Sequence, residues 1–221
     1  MTESHALTRV TSALACVIVL ALALVAAASA SSGATCGICG KNLIKNPGAE
    51  AGAGITAVGA YGVVPGWTNV AGQFGAASYV FPNGWFSKTS KGSTTRGKNY
   101  FFGGTTTEAT SAKATIGTQT IKLPAKAVGR KVTLGGWIGN YGTGPSANMT
   151  QVRADFADAS GTVLARLRIG NDTTVAGTDM AFRSRKGKVP AGATQVTIVV
   201  TFVGGNNYKL AGADDLSLVL A

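Results

Sequence analysis

Leu216, Leu218 and Leu220 fall at alternate positions near the end of the chain. That period of two is the pattern of a strand with one buried face. The same reading predicts strands over residues 42–46, 76–81, 99–104, 114–123, 131–141, 149–156, 162–169 and 195–203, with a last one opening at Tyr208. In 131–141 the faces separate cleanly: Val132, Leu134, Gly136 and Ile138 share one side, and Thr133, Gly135, Trp137 and Tyr141 the other. Turn-forming residues punctuate the runs at Pro47-Gly48, Pro124, Asp158-Ala-Ser-Gly161 and Gly204-Gly-Asn-Asn207,. No segment carries a convincing helical period. About ten short strands, with turn signals roughly every 8–12 residues, predict an all-β sandwich of two antiparallel sheets. Residues 82–98 read as a polar surface loop in which Trp85 and Phe86 cap one end of the sandwich. The basic run Arg183-Ser-Arg-Lys-Gly-Lys188 reads as a solvated loop before a turn, with a grip on an anionic polymer as the alternative,.

Residues 10–28 stand apart. They are almost wholly apolar, follow Arg9 and lead into Ala28-Ser29-Ala30. The small-x-small ending predicts a signal peptide over 1–30, cleaved after Ala30, and hence a secreted protein. The mature chain would hold 221 − 30 = 191 residues, enough for one sandwich domain over 42–221 behind a short tail at 31–41. No later apolar run is long enough to span a bilayer, so no membrane anchor is expected in the mature chain.

Losing the leader changes the available chemistry. His5 is the only histidine, so the mature chain cannot use Ser-His-Asp or Cys-His catalysis, nor an imidazole metal site. Lys+Arg falls from 20 to 19 and Asp+Glu from 9 to 8, leaving the net charge at +11. Such a charge favours anionic surfaces, or serves solubility alone. Nucleic acid is a poor fit for an exported chain without basic–aromatic interleaving. Cys36 and Cys39 precede no βαβ pattern and have no second ligand pair, so a local disulfide is expected rather than redox or zinc chemistry,.

Two carboxylates, Asp214 and Asp215, stand together where the last strand begins, and Glu50 follows the first Pro-Gly turn. Neighbouring acids at the lip of a core need water or a cation. The two chain ends are therefore expected side by side, closing the sandwich.

The order of Asn42-Leu-Ile-Lys-Asn-Pro-Gly-Ala-Glu50, Gly66-Trp67, the aromatic strand at 99–104, Thr118-Gln-Thr-Ile-Lys-Leu123, Val132-Thr-Leu-Gly-Gly-Trp137, Phe156-Ala-Asp-Ala-Ser-Gly161 and Ala213-Asp-Asp-Leu-Ser-Leu218 resembles the galactose-binding-like jelly roll. The resemblance is in particular to carbohydrate-binding modules of the four, nine and twenty-two type, and it covers nearly the whole mature chain. It implies a structural calcium held by Glu50 and Asp214, with Asp215 on the opposite side of its strand. It also implies a sugar groove on one sheet, with aromatics to stack on pyranose rings. Trp137 and Tyr141 are the candidate aromatics. Arg153, Arg166 and Arg168 alternate with apolar residues on the following hairpin and would read carboxylates or sulfates beside them. An ion pair of Arg153 with Asp155 is expected before any catalytic dyad. The chain thus reads as a secreted, non-catalytic module for a polysaccharide, acidic ones included. A structural or adhesive surface protein and a polysaccharide-degrading enzyme are the alternatives.

Overall fold

Residues 36–81, 85–107, 111–142, 148–170, 178–204 and 208–221 are described by a computed structural model. The expected leader at 1–30 lies outside them. Cys36–Ala221 forms one compact unit. In chain order the strands are β1 (Thr68–Ala71), β2 (Gly75–Ser78), β3 (Asn99–Gly104), β4 (Ala114–Lys122), β5 (Lys131–Gly139), β6 (Met149–Ala157), β7 (Val163–Gly170), β8 (Met180–Lys188), β9 (Gln195–Val203) and β10 (Lys209–Leu220), with a 3-10 turn at Ala125–Ala127. They form two five-stranded antiparallel sheets. The front sheet has the order β2-β3-β10-β5-β8 and the back sheet β1-β4-β9-β6-β7.

Alternation explains the core. Val132, Leu134 and Ile138 of β5, Val152, Ala154 and Phe156 of β6, Val196, Ile198 and Val200 of β9 and Leu216, Leu218 and Leu220 of β10 are buried in one cluster between the sheets. The intervening residues face outward. The chain ends meet as expected. Asn42 bridges to Val219, the Leu43 amide donates to the Leu218 carbonyl, and the Leu216 amide donates to the Pro47 carbonyl. Residues 42–46 nevertheless form no ladder strand. The Asn42 side chain takes the place of a ladder partner, donating to the Leu216 carbonyl at 2.8 Å and accepting from the Leu218 amide at 3.0 Å.

Two further features depart from the sequence pattern. The basic run expected as a loop is the edge strand β8, which pairs with β5 from Lys131↔Lys188 to Gly139↔Met180. Its alternation hides because cations occupy both faces, and an edge strand tolerates charge even at inward positions. The second feature is a second core. Strand β3 is buried on both faces. Phe101 joins the cluster between the sheets, while Tyr100 and Phe102 join Tyr79, Phe81, Trp85, Phe86 and Met180 on the outside of the front sheet. Trp85 and Phe86 therefore cover a sheet face rather than capping an end. Trp85 stacks on Phe81 with centroids 4.0 Å apart, and Phe86 meets Tyr100 edge-on at 5.4 Å.

Candidate functional site

The turn after Asn46 brings three acids together. A Cβ at Gly48 would stand 2.9 Å from Asp214 Oδ1, 3.6 Å from Asp215 Oδ1 and 3.7 Å from Glu50 Cγ, so only glycine leaves room there. Both Glu50 oxygens accept backbone amides, from Lys98 and Asn99, each at 2.9 Å. Asp214 is fully buried. It accepts the Tyr79 hydroxyl at 2.6 Å and the Asp215 amide at 2.7 Å. Asp215 accepts the hydroxyls of Ser93 and Thr95. Burial pushes the Asp214 carboxyl up to about 7. The Tyr79 hydroxyl and the Asp215 amide oppose that shift, while the charges of Asp215 and Glu50 add to it,.

Asp215 was expected to face away from Asp214, and it does not. It has φ 45°, and the β10–β5 register shifts between Asp214 and Ser217, placing two residues opposite the single Gly136. This bulge turns Asp215 towards Gly48 beside Asp214,. It also restores Leu216, Leu218 and Leu220 to the core side. A hard cation takes several oxygens, and this donor set is all oxygen, drawn from both chain ends. Among the described residues, however, no three His, Cys, Asp or Glu side chains are arranged as a metal-holding group. The two Glu50 oxygens are turned to amides, so the fit is of chemistry and not of finished geometry.

The five expected sugar-contact residues do not share a face. Trp137 lies on the outer side of the front sheet, paired with Asp214 on β10 and Phe182 on β8. Its ring meets Phe182 edge-on, centroids 5.9 Å apart, and Phe182 is 52% exposed. Tyr141 packs with Trp137 against the second core. Arg153, Arg166 and Arg168 lie across the molecule on β6 and β7 of the back sheet. They were expected beside Trp137 because the 149–169 hairpin follows β5 in sequence. The chain instead crosses to the other sheet after β5, which spacing does not reveal.

On the back sheet Arg153 grips Asp155 through Nε at 2.7 and 2.9 Å, the expected pair. Arg166 Nε lies 3.4 Å from the same carboxylate. Arg168 stands directly across from Arg153 in the β6–β7 ladder.

Sequence reasoning missed Phe182, because the stretch around it read as a loop. The signal was present in Phe182, Ser184 and Lys186, which alternate with Arg183 and Arg185. Also missed were Tyr79, which reaches Asp214 from the end of β2, and Ser93 and Thr95, which reach Asp215 because residues 85–98 fold back over the sheet.

No family model matches the sequence, and no curated protein is detectably similar to it. In structure the chain is similar to the enzymatically active domain of tailspike protein 4 of bacteriophage CBA120, with a TM-score of 0.53 and 18% identity. That match covers 81% of this chain and spans 21% of the tailspike chain. A cyclase from Fischerella sp. TAU gives a TM-score of 0.53 at 14% identity, over 80% of this chain and 95% of that one. The fold these matches share is a jelly-roll β-sandwich of two antiparallel sheets. A family 16 carbohydrate-binding module has a TM-score of 0.49 and 19% identity, over 80% of this chain and 99% of that one. In this fold the described residues place the acids at the junction of the chain ends, and the partly buried Trp137 with the exposed Phe182 on the outer face of the front sheet.

Proposed function

We propose that this protein is a secreted, non-catalytic carbohydrate-binding module whose glycan lies on the outer face of the front sheet at Trp137 and Phe182. The carrying observation is that pair: two large aromatics in register on adjacent strands, with Phe182 more than half exposed. Exposed aromatic faces are suited to the apolar faces of pyranose rings. Gly135 follows on the same side of β5, flanked in the ladders by Ser184 and Ser217, and the next row carries Thr133 and Lys186. Gly135 lets the Phe182 ring lie down over β5, and the hydroxyls and the amine around that ring offer the hydrogen-bonding partners that sugar hydroxyls require. The other half of the sheet is covered by Trp85 and Phe86, which confines the platform to β10, β5 and β8.

The leader pattern at 1–30 supports secretion. The commitment of Asp155 to Arg153 supports a binding role over a carboxylate dyad,. Calcium belongs to the same proposal, held by Asp214 and Glu50 with Asp215 beside them. Bound there, it would supply charge compensation where Glu50, Asp214 and Asp215 form no ion pair with a described cation, the ion pairs among the described residues being those of Asp155,.

The test is titration of the full chain with neutral oligosaccharides, read by calorimetry and by tryptophan fluorescence. Binding that perturbs the fluorescence and is lost in both Trp137→Ala and Phe182→Ala, with the fold intact, is the expected result. Sugar binding that neither variant weakens would overturn the platform.

A further inference from the structure

The back sheet ends in β7 and the front sheet in β8, so these two edges run beside each other along one side of the sandwich. An open cleft of about 490 Å³ lies between them. Arg166 and Arg168 reach it from β7, and Arg183 and Arg185 from β8, with Ile169 and Ser184 in the lining. We infer that this inter-edge cleft is an anion-binding site for an acidic polysaccharide, separate from the aromatic platform. The choice of a polysaccharide over another polyanion rests on the glycan reading of that platform.

Spacing and chemistry carry the site. Residues two apart on a strand lie roughly 7 Å apart on the same side. Each edge therefore presents two arginines in a row, Arg183 and Arg185 from the inward side of β8 and Arg166 and Arg168 from the outer side of β7, and both rows line the one cleft. A guanidinium binds a carboxylate or sulfate through a two-pronged fork, which an ammonium cannot do. The arginines have divided roles. Arg166 is partly engaged by Asp155, which also holds Arg153. Arg168 and Arg185 are exposed and form no ion pair with any described residue. They are the pair that a chain of anionic groups would engage. Inward-pointing charges can also serve to keep an edge strand from pairing with another molecule. That purpose needs charge on one edge only, and does not call for arginines converging from two different sheets.

An apolar contact beside the cleft joins the two edges. Leu167 of β7 fills the space a side chain at Gly187 of β8 would need. This contact packs β7 against β8 next to the arginines. Asp155 is the acid that an anion would meet, and it lies behind Arg166 rather than across the cleft.

The test measures full-chain binding to a sulfated glycan (heparin), a carboxylated one (polygalacturonate) and a neutral galactan, at low and moderate salt. The variants are Arg168→Ala/Arg185→Ala and Arg168→Lys/Arg185→Lys, with Lys45→Ala/Lys122→Ala as a charge control on the β1–β4 side. The expected result is roughly tenfold weaker polyanion binding in the alanine variant, several-fold weaker in the lysine variant, and no such loss in the control. The heparin and polygalacturonate arms then show whether sulfate or carboxylate is preferred. Lysine variants that bind as tightly as the parent, or a control that loses as much as the alanine variant, would reduce the cleft to general positive charge and overturn the inference. Single-stranded DNA competing as well as heparin would overturn the assignment to polysaccharide. Failure of the neutral galactan with intact, arginine-dependent binding of the acidic glycans would sink the platform and leave the cleft standing. The reverse pattern would sink the cleft alone.

Discussion

The Tyr79 hydroxyl donates a 2.6 Å hydrogen bond to Asp214, and this buried pair joins the end of β2 to the last strand. The tyrosine is held far above its ordinary value by burial and by the neighbouring Asp214 charge, so it stays a donor. The carboxyl is pushed from 3.8 up to about 7 by the same burial. A raised acid favours the folded state while it is protonated. Its contribution is fully present below about pH 3.8 and is lost as pH rises to about 7. Calcium-free protein should therefore lose this part of its stability on going from pH 4 to pH 7, and Asp214→Asn should flatten that slope. Thermal melts at several pH values, with chelator, check it.

Calcium should act on the same group with the opposite sign. An ion that binds only the folded state stabilises it by mass action, and it needs the carboxylates deprotonated. Added calcium is expected to raise the melting temperature at pH 7.5 and much less at pH 5. Asp214→Asn should abolish that rise. A melting temperature indifferent to calcium at both pH values would contradict the proposed ion.

Phe86 rests on two glycines that are direct partners across the β5–β10 ladder, Gly139 and Gly212. The ring is fully buried there. Phe86→Ala should destabilise the fold by about 3–5 kcal/mol, the usual cost of removing a buried phenylalanine. Gly212→Val should also destabilise, through overpacking, because a Cβ there would already lie 2.9 Å from the Phe86 ring,. Urea unfolding of both variants gives the measurement. If 85–98 were only a surface loop, neither change would matter.

Arg153 secures Asp155, which is only 8% exposed. Arg153→Ala leaves that carboxylate with the longer 3.4 Å contact to Arg166. The expected loss is about 1–2 kcal/mol, held down by the partial exposure of Arg153. The double change Arg153→Ala/Asp155→Ala should cost less than the two single losses summed, which a double-mutant cycle reads directly.

Loss of the Trp137 ring should weaken neutral-glycan binding by at least about tenfold, since stacking one sugar ring buries aromatic area worth about 1.5 kcal/mol or more. Phe182→Ala should do the same. The edge position of Phe182 predicts little effect on folding, so melting temperature separates a binding loss from a structural one.

Where residues alternate between apolar and polar, the strand and its buried face could be read from the chain. β9 carries Val196, Ile198, Val200 and Phe202 inward as its pattern requires. Asn42 and Glu50 pointed to the meeting of the chain ends, because a turn and an uncompensated acid leave a local signature. Alternation is a property of one strand and its own two faces, so these features needed nothing more. It does not say which sheet a strand enters, and the crossing after β5 therefore separated Trp137 from Arg153, Arg166 and Arg168. Nor does it show that an outer face is covered, and Tyr100 and Phe102 are buried only because Trp85 and Phe86 fold back over them. The bulge at Asp215 and the facing of β7 and β8 arise the same way, from contacts between segments far apart in the chain. The tertiary structure alone decided them.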